Sequence, residues 1–588
     1  MWPMLGAAVV LLMLVQGSAG AASSVRLTKP VDATKGYTDP QRTFSAPSLL
    51  VDPSNPKVMV AGTLEFRTNK CQLLRSSDGG KTWGFLENPP QIASIPFCLM
   101  NNSNIFQAPI AWGRNNTLYM ATQGYDATTR SKRSVLLFKS TNLGNSWTST
   151  IAMDARQTSG PTQVSNAPIT SLVVDSKSGP QDIVYIGYRQ GFPNATAPNA
   201  KPNQPTVSVS MDGGATFGPS TSVIGDIFSS DTVRNTALTA RTTTTPAPTT
   251  TAAPTTTTTV DTNAPTSTSV LSSSTTAAPT TTTVPAGSLA ATPNQPANFG
   301  ASGNAESLTL DDKGNIYDAF MTGTANVSPS PPPALVVSRS TDHGKTWTSS
   351  IARDFSYENR QNPRMAWTST GGPNGTLHLV YEGAIGNATI GSYADVFYIK
   401  STDMGKTWST PMRLADDNPA NLAGKYLPYI QVAPNQRIDV VWWDVRDDPG
   451  IRGNDVYYTY SFDNGASWAK NIRITDQTVD RRFGVWSNNF DQNSPPGLAS
   501  TNAFALMGWD DTRFSTGPTG QLLANDPVKA IGVGGGVQDI FVAAVQFNSL
   551  HSGASTGPKY ALAAAIGLVI AGLVILVVAM QRRRRATA

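Results

Sequence analysis

The sequence predicts an all-β fold, a closed ring of seven four-stranded sheets forming a β-propeller, with six blades as the alternative count. Three observations predict it. First, an eight-residue pattern recurs as "SSDGGKTW" at Ser76, "STNLGNSW" at Ser140, "SMDGGATF" at Ser210, "STDHGKTW" at Ser340, "STDMGKTW" at Ser401 and "SFDNGASW" at Ser461. Second, once a Thr/Pro-rich stretch is set aside, the copies lie roughly 60 to 75 residues apart, about one four-stranded blade with long loops. Third, the segments between copies alternate apolar and polar residues and are punctuated by Gly, Pro and Asn, as strands and turns require.

Taken in chain order, residues 1–21 ("MWPMLGAAVVLLMLVQGSAGA") form an apolar run ending in the small residues Ala19-Gly20-Ala21, the pattern of a secretory signal peptide. The propeller is expected over 23–548. Its first blade begins at "FSAPSLLVD", and later blades begin at "FQAPIAWG", "SNAPITSLVVD" and "SGNAESLTLDD". The fifth reads as four strands, "PRMAWTS", "TLHLVYEG", "DVFYIKSTDMGKTW" and "PMRLADD", and the sixth repeats that order. A seventh blade has "NAFALMGWDDTRF" and "DIFVAAVQF" but lacks a fourth strand. "VRLTKPVD", Val25 to Asp32, resembles the fourth strands of blades five and six. It is expected to pair with Asp539 to Phe547 and close the ring without an exposed sheet edge.

Residues 240–293 are nearly all Thr, Pro, Ala and Ser, a composition that cannot offset its ordering entropy by apolar burial and that suits O-glycosylation. Residues 549–559 form a linker, and Tyr560 to Met580 is an uncharged stretch long enough to cross a bilayer core of about 30 Å. The basic tail 581–588, with Arg582 to Arg585, places that end in the cytoplasm. The expected location is the cell membrane, single-pass, with the bulk of the chain outside. The net charge of +5 owes four arginines to this tail, so nucleic acid is excluded as a partner class. Export favours a disulfide between Cys71 and Cys98, the only cysteines. Two cysteines and three histidines are too few for a zinc site, and no cofactor is expected.

In the recurrent pattern the Asp carboxylate can accept backbone N–H groups of its own loop, Gly supplies a positive φ, and the aromatic residue packs across the hairpin base. The positions Asp78, Asn142, Asp212, Asp342, Asp403 and Asp463 are therefore read as structural. Asn142 supports this, because a catalytic carboxylate would not tolerate Asn. The pattern resembles the Asp-box, or BNR, repeat of sialidases and related propellers. That resemblance implies the propeller fold and leaves activity open, since many Asp-box propellers are not enzymes.

Three function classes remain: a binder, a hydrolase, and a surface scaffold in which the propeller only displays the Thr/Pro-rich loop. The resemblance to sialidases implies an arginine two residues before the first inner-strand Pro, as part of a carboxylate clamp, and Ser45 occupies that position. The same register gives Gln107, Asn166, Gln361 and Tyr426, with Asn304 by analogy, a ring of amides and hydroxyls suited to a glycan or to channel water. Loops between second and third strands should open on this face and carry Glu65, Arg67, Tyr188, Arg189, Glu382, Asp444, Arg446, Asp447, Asp510, Asp511 and Arg513. The Trp-Asp…Arg segments at 443–446 and 509–513 read as local ion pairs, with a cation site at Asp444, Asp447 and Asp448 as the other possibility. A glycosidase would need paired carboxyl groups or a Tyr with a carboxylate, for which Tyr426, Glu382, Asp444 and Asp510 are candidates. Arg360, Arg364 and Arg482 could form a substitute anion clamp. The favoured expectation is a surface propeller that binds an extracellular glycan or protein. The alternative is a sialidase-like glycoside hydrolase with an altered clamp.

Overall fold

The structure, a computed structural model, describes residues 25–39, 42–65, 70–98, 109–129, 131–158, 164, 167–191, 204–224, 301–322, 334–354, 362–385, 393–421, 423–448, 453–480, 482–484, 495–515 and 537–547. Residues 1–21, 240–293 and 549–588, on which the signal-peptide, insert, linker, membrane-span and tail expectations fall, lie outside these residues. Among the described residues no helix is long and apolar enough to cross a membrane.

Seven sheets stand in a ring, each an antiparallel meander with its innermost strand at the axis. The innermost strands of blades one to seven are Phe44–Val51, Ile110–Trp112, Ile169–Asp175, Ala301–Leu310, Arg364–Thr368, Lys425–Val432 and Gly497–Ser500. The expected closure is present. Arg26 and Leu27 pair with Gln546 and Val545, and Val31 and Asp32 pair with Val542 and Phe541, so the chain's first strands complete the last blade. Side chains reinforce the seam: Arg42 forms an ion pair with the buried Asp539, and Thr34 Oγ1 donates to the same carboxylate at 2.9 Å. The core lies between blades. Val60, Leu73 and Phe97 of the first blade's segment pack on Leu118, Met120 and Phe138 of the second, and a similar apolar layer fills the other seams.

The recurrent turn is a self-contained hydrogen-bonded loop. In the first blade Ser76 Oγ accepts from Gly80 N at 2.9 Å and donates to Asp78 Oδ1 at 2.8 Å. Asp78 Oδ1 accepts from Lys81 N and Thr82 N at 2.9 and 3.0 Å, and Oδ2 from Thr82 Oγ1 at 2.7 Å. The Thr82 side chain and amide hold the Asp78 carboxyl down at about 2, so it stays ionised and bonded to its own loop. Asn142 reproduces the arrangement, its Oδ1 taking Ser146 N at 2.9 Å and its Nδ2 donating to Ser146 Oγ at 2.8 Å. The glycine adopts the positive φ expected of it, 81° at Gly344 and 86° at Gly405. The residue before it is left-handed too, including His343 at φ 58° and Met404 at 63°, where a side chain tolerates the strain because the loop bonds dictate it.

Cys71, on the third strand of the first blade, is bridged to Cys98, joining that strand to the passage into the second blade.

Candidate functional site

The axial end at which the innermost strands begin is where function was expected, and the local sequence explains its geometry. In blades one and six the chain enters through "SAPS" and "YLPY", with Ala46 and Leu427 at φ 61° and 51° ahead of Pro47 and Pro428. Both strands bulge there, the pairing shifting between Ser45 and Ser48 and between Tyr426 and Tyr429. A bulge turns a backbone N–H out of its own ladder, and a buried N–H needs an acceptor.

That acceptor comes from the preceding blade. Glu382, fully buried on the second strand of blade five, accepts Leu427 N at 2.6 Å and Asn362 Nδ2 at 2.7 Å. Asp510, fully buried on the second strand of blade seven, accepts Ala46 N at 3.2 Å, the Ser45 hydroxyl, and Gln538 Nε2 at 3.2 Å. Gln123, on the second strand of blade two, accepts Ala167 N, immediately before Pro168, at 2.8 Å. Gln123 and Glu382 occupy one register, five residues beyond the residue paired with the recurrent Ser (Leu118 with Ser140, Leu377 with Ser401). These three side chains are latches between consecutive blades. That an uncharged amide serves in one of them shows that the task is acceptance of an N–H. Burial pushes the Asp510 carboxyl up to about 7, partly offset by the Ser45 and Ala46 hydrogen bonds.

The proposed ring is therefore corrected at the positions that can be seen. Ser45 is fully buried against Asp510, and Tyr426, only 7% exposed, packs among Trp443, Leu498 and Trp509 between blades six and seven. Gln107, Asn166, Gln361, Arg360 and Arg67 lie outside the described residues, and only the backbone of Asn304 is described, in the fourth blade's innermost strand.

The Trp-Asp…Arg segments are local braces, as read from sequence, but their equivalence is shifted by one residue. Asp444 accepts from Trp442 Nε1 at 2.8 Å and from Arg446 N and Nε at 2.8 and 2.9 Å. Its counterpart is Asp511, not Asp510: Asp511 takes Trp509 Nε1 at 3.0 Å and Arg513 N and Nε at 2.9 and 3.0 Å. Arg446 and Arg513 also lie over the Tyr457 and Phe541 rings, at 4.1 and 4.0 Å. The cation-site candidates do not converge. Asp444 is held by Arg446, Asp447 accepts the Tyr457 hydroxyl at 2.7 Å, Asp448 is not brought to them, and no group of three or more His, Cys, Asp or Glu among the described residues is arranged to hold a metal. Glu65 accepts Thr43 N at 3.2 Å, and the Tyr188 hydroxyl bonds Ser208 and Ser220. An ion network that sequence reading missed joins Arg413, Asp395, Asp417, Lys425 and Arg446 on blades five and six.

Of the arginine clamp, Arg364 is at the axis. Its guanidinium lies 5.7 Å over the Tyr429 ring, and burial lowers its pKa against the opposing pull of Tyr429 and Glu382. Arg482 is elsewhere, exposed and paired with Asp480 at 2.5 Å. Below Arg364 opens a cavity of about 280 Å³ between the innermost strands of blades three to six, lined by groups that include Thr170, Ser171, Thr309, Arg364, Tyr429 and Gln431. It is the size of one sugar ring rather than of a chain, and it presents hydroxyls, an amide and a guanidinium. Tyr429 and Gln431 were missed because they fall three and five residues past the expected register at Tyr426, where the bulge turns the alternation toward the channel.

No protein-family model matches the chain, and no curated protein matches it. Among solved structures, a Penicillium chrysogenum α-L-arabinanase complexed with arabinobiose is 13% identical over 71% of this chain and 94% of its own, with a TM-score of 0.37. The phage phi92 endosialidase is 10% identical over 90% and 70%, with a TM-score of 0.40. A PL25 ulvan lyase is 9% identical over 82% and 93%, with a TM-score of 0.41. These are distant likenesses of a propeller architecture.

Proposed function

We propose that this chain is a membrane-anchored, cell-surface propeller that binds a hydroxyl-rich extracellular ligand, a glycan or the glycan of a glycoprotein, at the axial cavity of blades three to six. One observation carries the reading. Glu382 and Asp510, buried carboxylates on second strands, are bonded to backbone amides of the next blade, whereas the cavity is lined by Thr, Ser, Gln and Tyr groups with Arg364 at its edge. Thr170 Oγ1 donates to Gly187 O at 3.1 Å, Ser171 Oγ accepts Leu308 N at 3.2 Å and Gln431 Oε1 accepts Ser500 N at 3.1 Å, which leaves each side chain a further donor or acceptor for sugar hydroxyls. Among the described residues the lining holds no carboxyl pair of the kind that flanks a scissile bond. Export is supported by the bridged Cys71 and Cys98 and by the apolar segments 1–21 and 560–580.

The test is a glycan array and a fluorogenic sialoside, both presented to the full chain in detergent. Array binding without turnover is expected; binding to nothing on the array would overturn the proposal.

A sialidase-like hydrolase is the second reading, favoured by the Glu382 charge acting on Arg364 beside Tyr429. It requires turnover of the sialoside that Glu382→Gln abolishes.

A further inference from the structure

A second recess lies on the opposite face, at the seam where the ring closes. It has a volume of about 480 Å³ and lies between blade seven and the recurrent turn of blade one, with Val31, Met59, Leu506, Val542 and Ala544 among its walls. Other seams are filled at this level. The glycine of the recurrent turn meets Leu137 in blade three, Val209 in blade four and Tyr398 in blade six, whereas Gly80 of blade one meets only Met59 of its own blade. The facing strand, Asp539–Gln546, presents the small residues Ala543 and Ala544 to the recess, which leave the space open. Lys29, Lys57 and Lys81 stand exposed around the rim, and among the described residues none of their ammonium groups is in an ion pair. The nearby Asp78 carboxylate is bonded to its own loop.

The course of the chain places this recess. Phe547, next to the recess residue Gln546, is fixed on the recurrent-turn face: its N–H donates to Ala503 O at 2.8 Å, and its ring packs on Tyr460 and Phe462 with centroids 4.9 and 5.8 Å away. From there residues 548–559 lead to the apolar segment 560–580. Twelve residues reach about 40 Å at most. If 560–580 spans the membrane, this face and its lysines are tethered toward the bilayer.

We infer that the closure-seam recess docks an anionic membrane lipid, an acyl chain lying among Met59, Leu506 and Val542 and the phosphate among Lys29, Lys57 and Lys81. An apolar groove ringed by unpaired ammonium groups matches an anionic amphiphile in both its parts. The inference rests on the membrane-anchored reading and is independent of the axial ligand.

The test is native mass spectrometry of the full chain in detergent, titrated with phosphatidylglycerol or phosphatidylcholine. One phosphatidylglycerol per chain should be retained, at least tenfold more tightly than phosphatidylcholine. Lys57→Glu with Lys81→Glu, both exposed and foldable, should remove that preference, and Leu506→Trp, which fills the recess, should weaken both lipids. Equal retention of the two lipids, a preference that survives the lysine changes, or displacement of lipid by an acidic aromatic peptide would overturn the inference. Carbonate extraction of membranes separates its failure from that of the anchor: release of the chain refutes the anchor and with it the ground for a membrane lipid, whereas retention of the chain together with equal retention of the two lipids refutes the lipid inference alone.

Discussion

Asp510 offers the sharpest check on the blade-to-blade latch. Truncation by Asp510→Ala leaves Ala46 N, the Ser45 hydroxyl and Gln538 Nε2 without their acceptor in a fully buried seam. One unsatisfied buried group costs about 1–3 kcal/mol, and an energy loss of about 3 kcal/mol is expected once Gln538, which also donates to Phe44 O at 2.7 Å, keeps one of its bonds. The Asn variant isolates the charge. With a folded pKa of about 7 against an unfolded value of 3.8, the native state holds its proton longer than the unfolded chain. This contribution to stability is full below about pH 4 and is lost as pH rises through 7. At about 1.4 kcal/mol per unit, the wild type should lose about 3 kcal/mol relative to Asp510→Asn between pH 4.5 and 8. Urea unfolding of both proteins at the two pH values, with the disulfide intact, measures the difference directly. A gap that does not change with pH would refute the assignment of a raised pKa, and an Ala variant within 0.5 kcal/mol of wild type, roughly the surface-substitution range, would refute the latch itself.

Other consequences can be measured in the same way. Gln123→Ala should cost about 1–3 kcal/mol with no pH dependence, because the Ala167 N–H loses a neutral acceptor. In the recurrent turn of blade five, Gly405→Ala at φ 86° should cost about 1–2 kcal/mol in chemical denaturation, while Met404→Gly at φ 63° should be near neutral. Asp318→Leu should stabilise: its carboxylate is fully buried, accepts no side-chain hydrogen bond among the described residues, and is pushed up to about 8 by burial against a weaker pull from the Ser307 backbone, at a register where blades five and six carry Leu379 and Val440. Because that raised pKa removes stability as pH rises through 8, the gain in melting temperature should be larger at pH 9 than at pH 6. Cys71→Ser with Cys98→Ser should cost about 3–4 kcal/mol for a separation of 27 residues, and non-reducing peptide mapping should find the two joined.

What could be read from the sequence was whatever is encoded locally or by repetition. The recurrent turn makes nearly all its bonds within eight residues, so its role followed from residue types alone. The closing strand was legible because Val25 to Asp32 repeats the pattern of other fourth strands. The latches were not legible, because each acceptor and its N–H sit on different blades, 45 residues apart for Glu382 and Leu427 and 464 for Asp510 and Ala46. Chemistry-bearing side chains such as Glu382, Asp510 and Ser45 therefore looked available for a ligand when the fold had already paired them. The similarity of "WWDVR" and "GWDDTR" also misaligned Asp510 with Asp444, since the doubled Asp hides which of the two braces the arginine. The inward turn of Tyr429 and Gln431 depends on a bulge that alternation cannot reveal.

The central claim is that the axial cavity binds a ligand while the buried carboxylates hold blades together. Calorimetric titration of a glycan retained on the array, into wild type, Glu382→Gln and Arg364→Ala, tests it most directly. Affinity should persist in Glu382→Gln, which keeps an acceptor for Leu427 N, and fall at least tenfold in Arg364→Ala. Binding indifferent to Arg364, or a reaction heat that Glu382→Gln extinguishes, would contradict it.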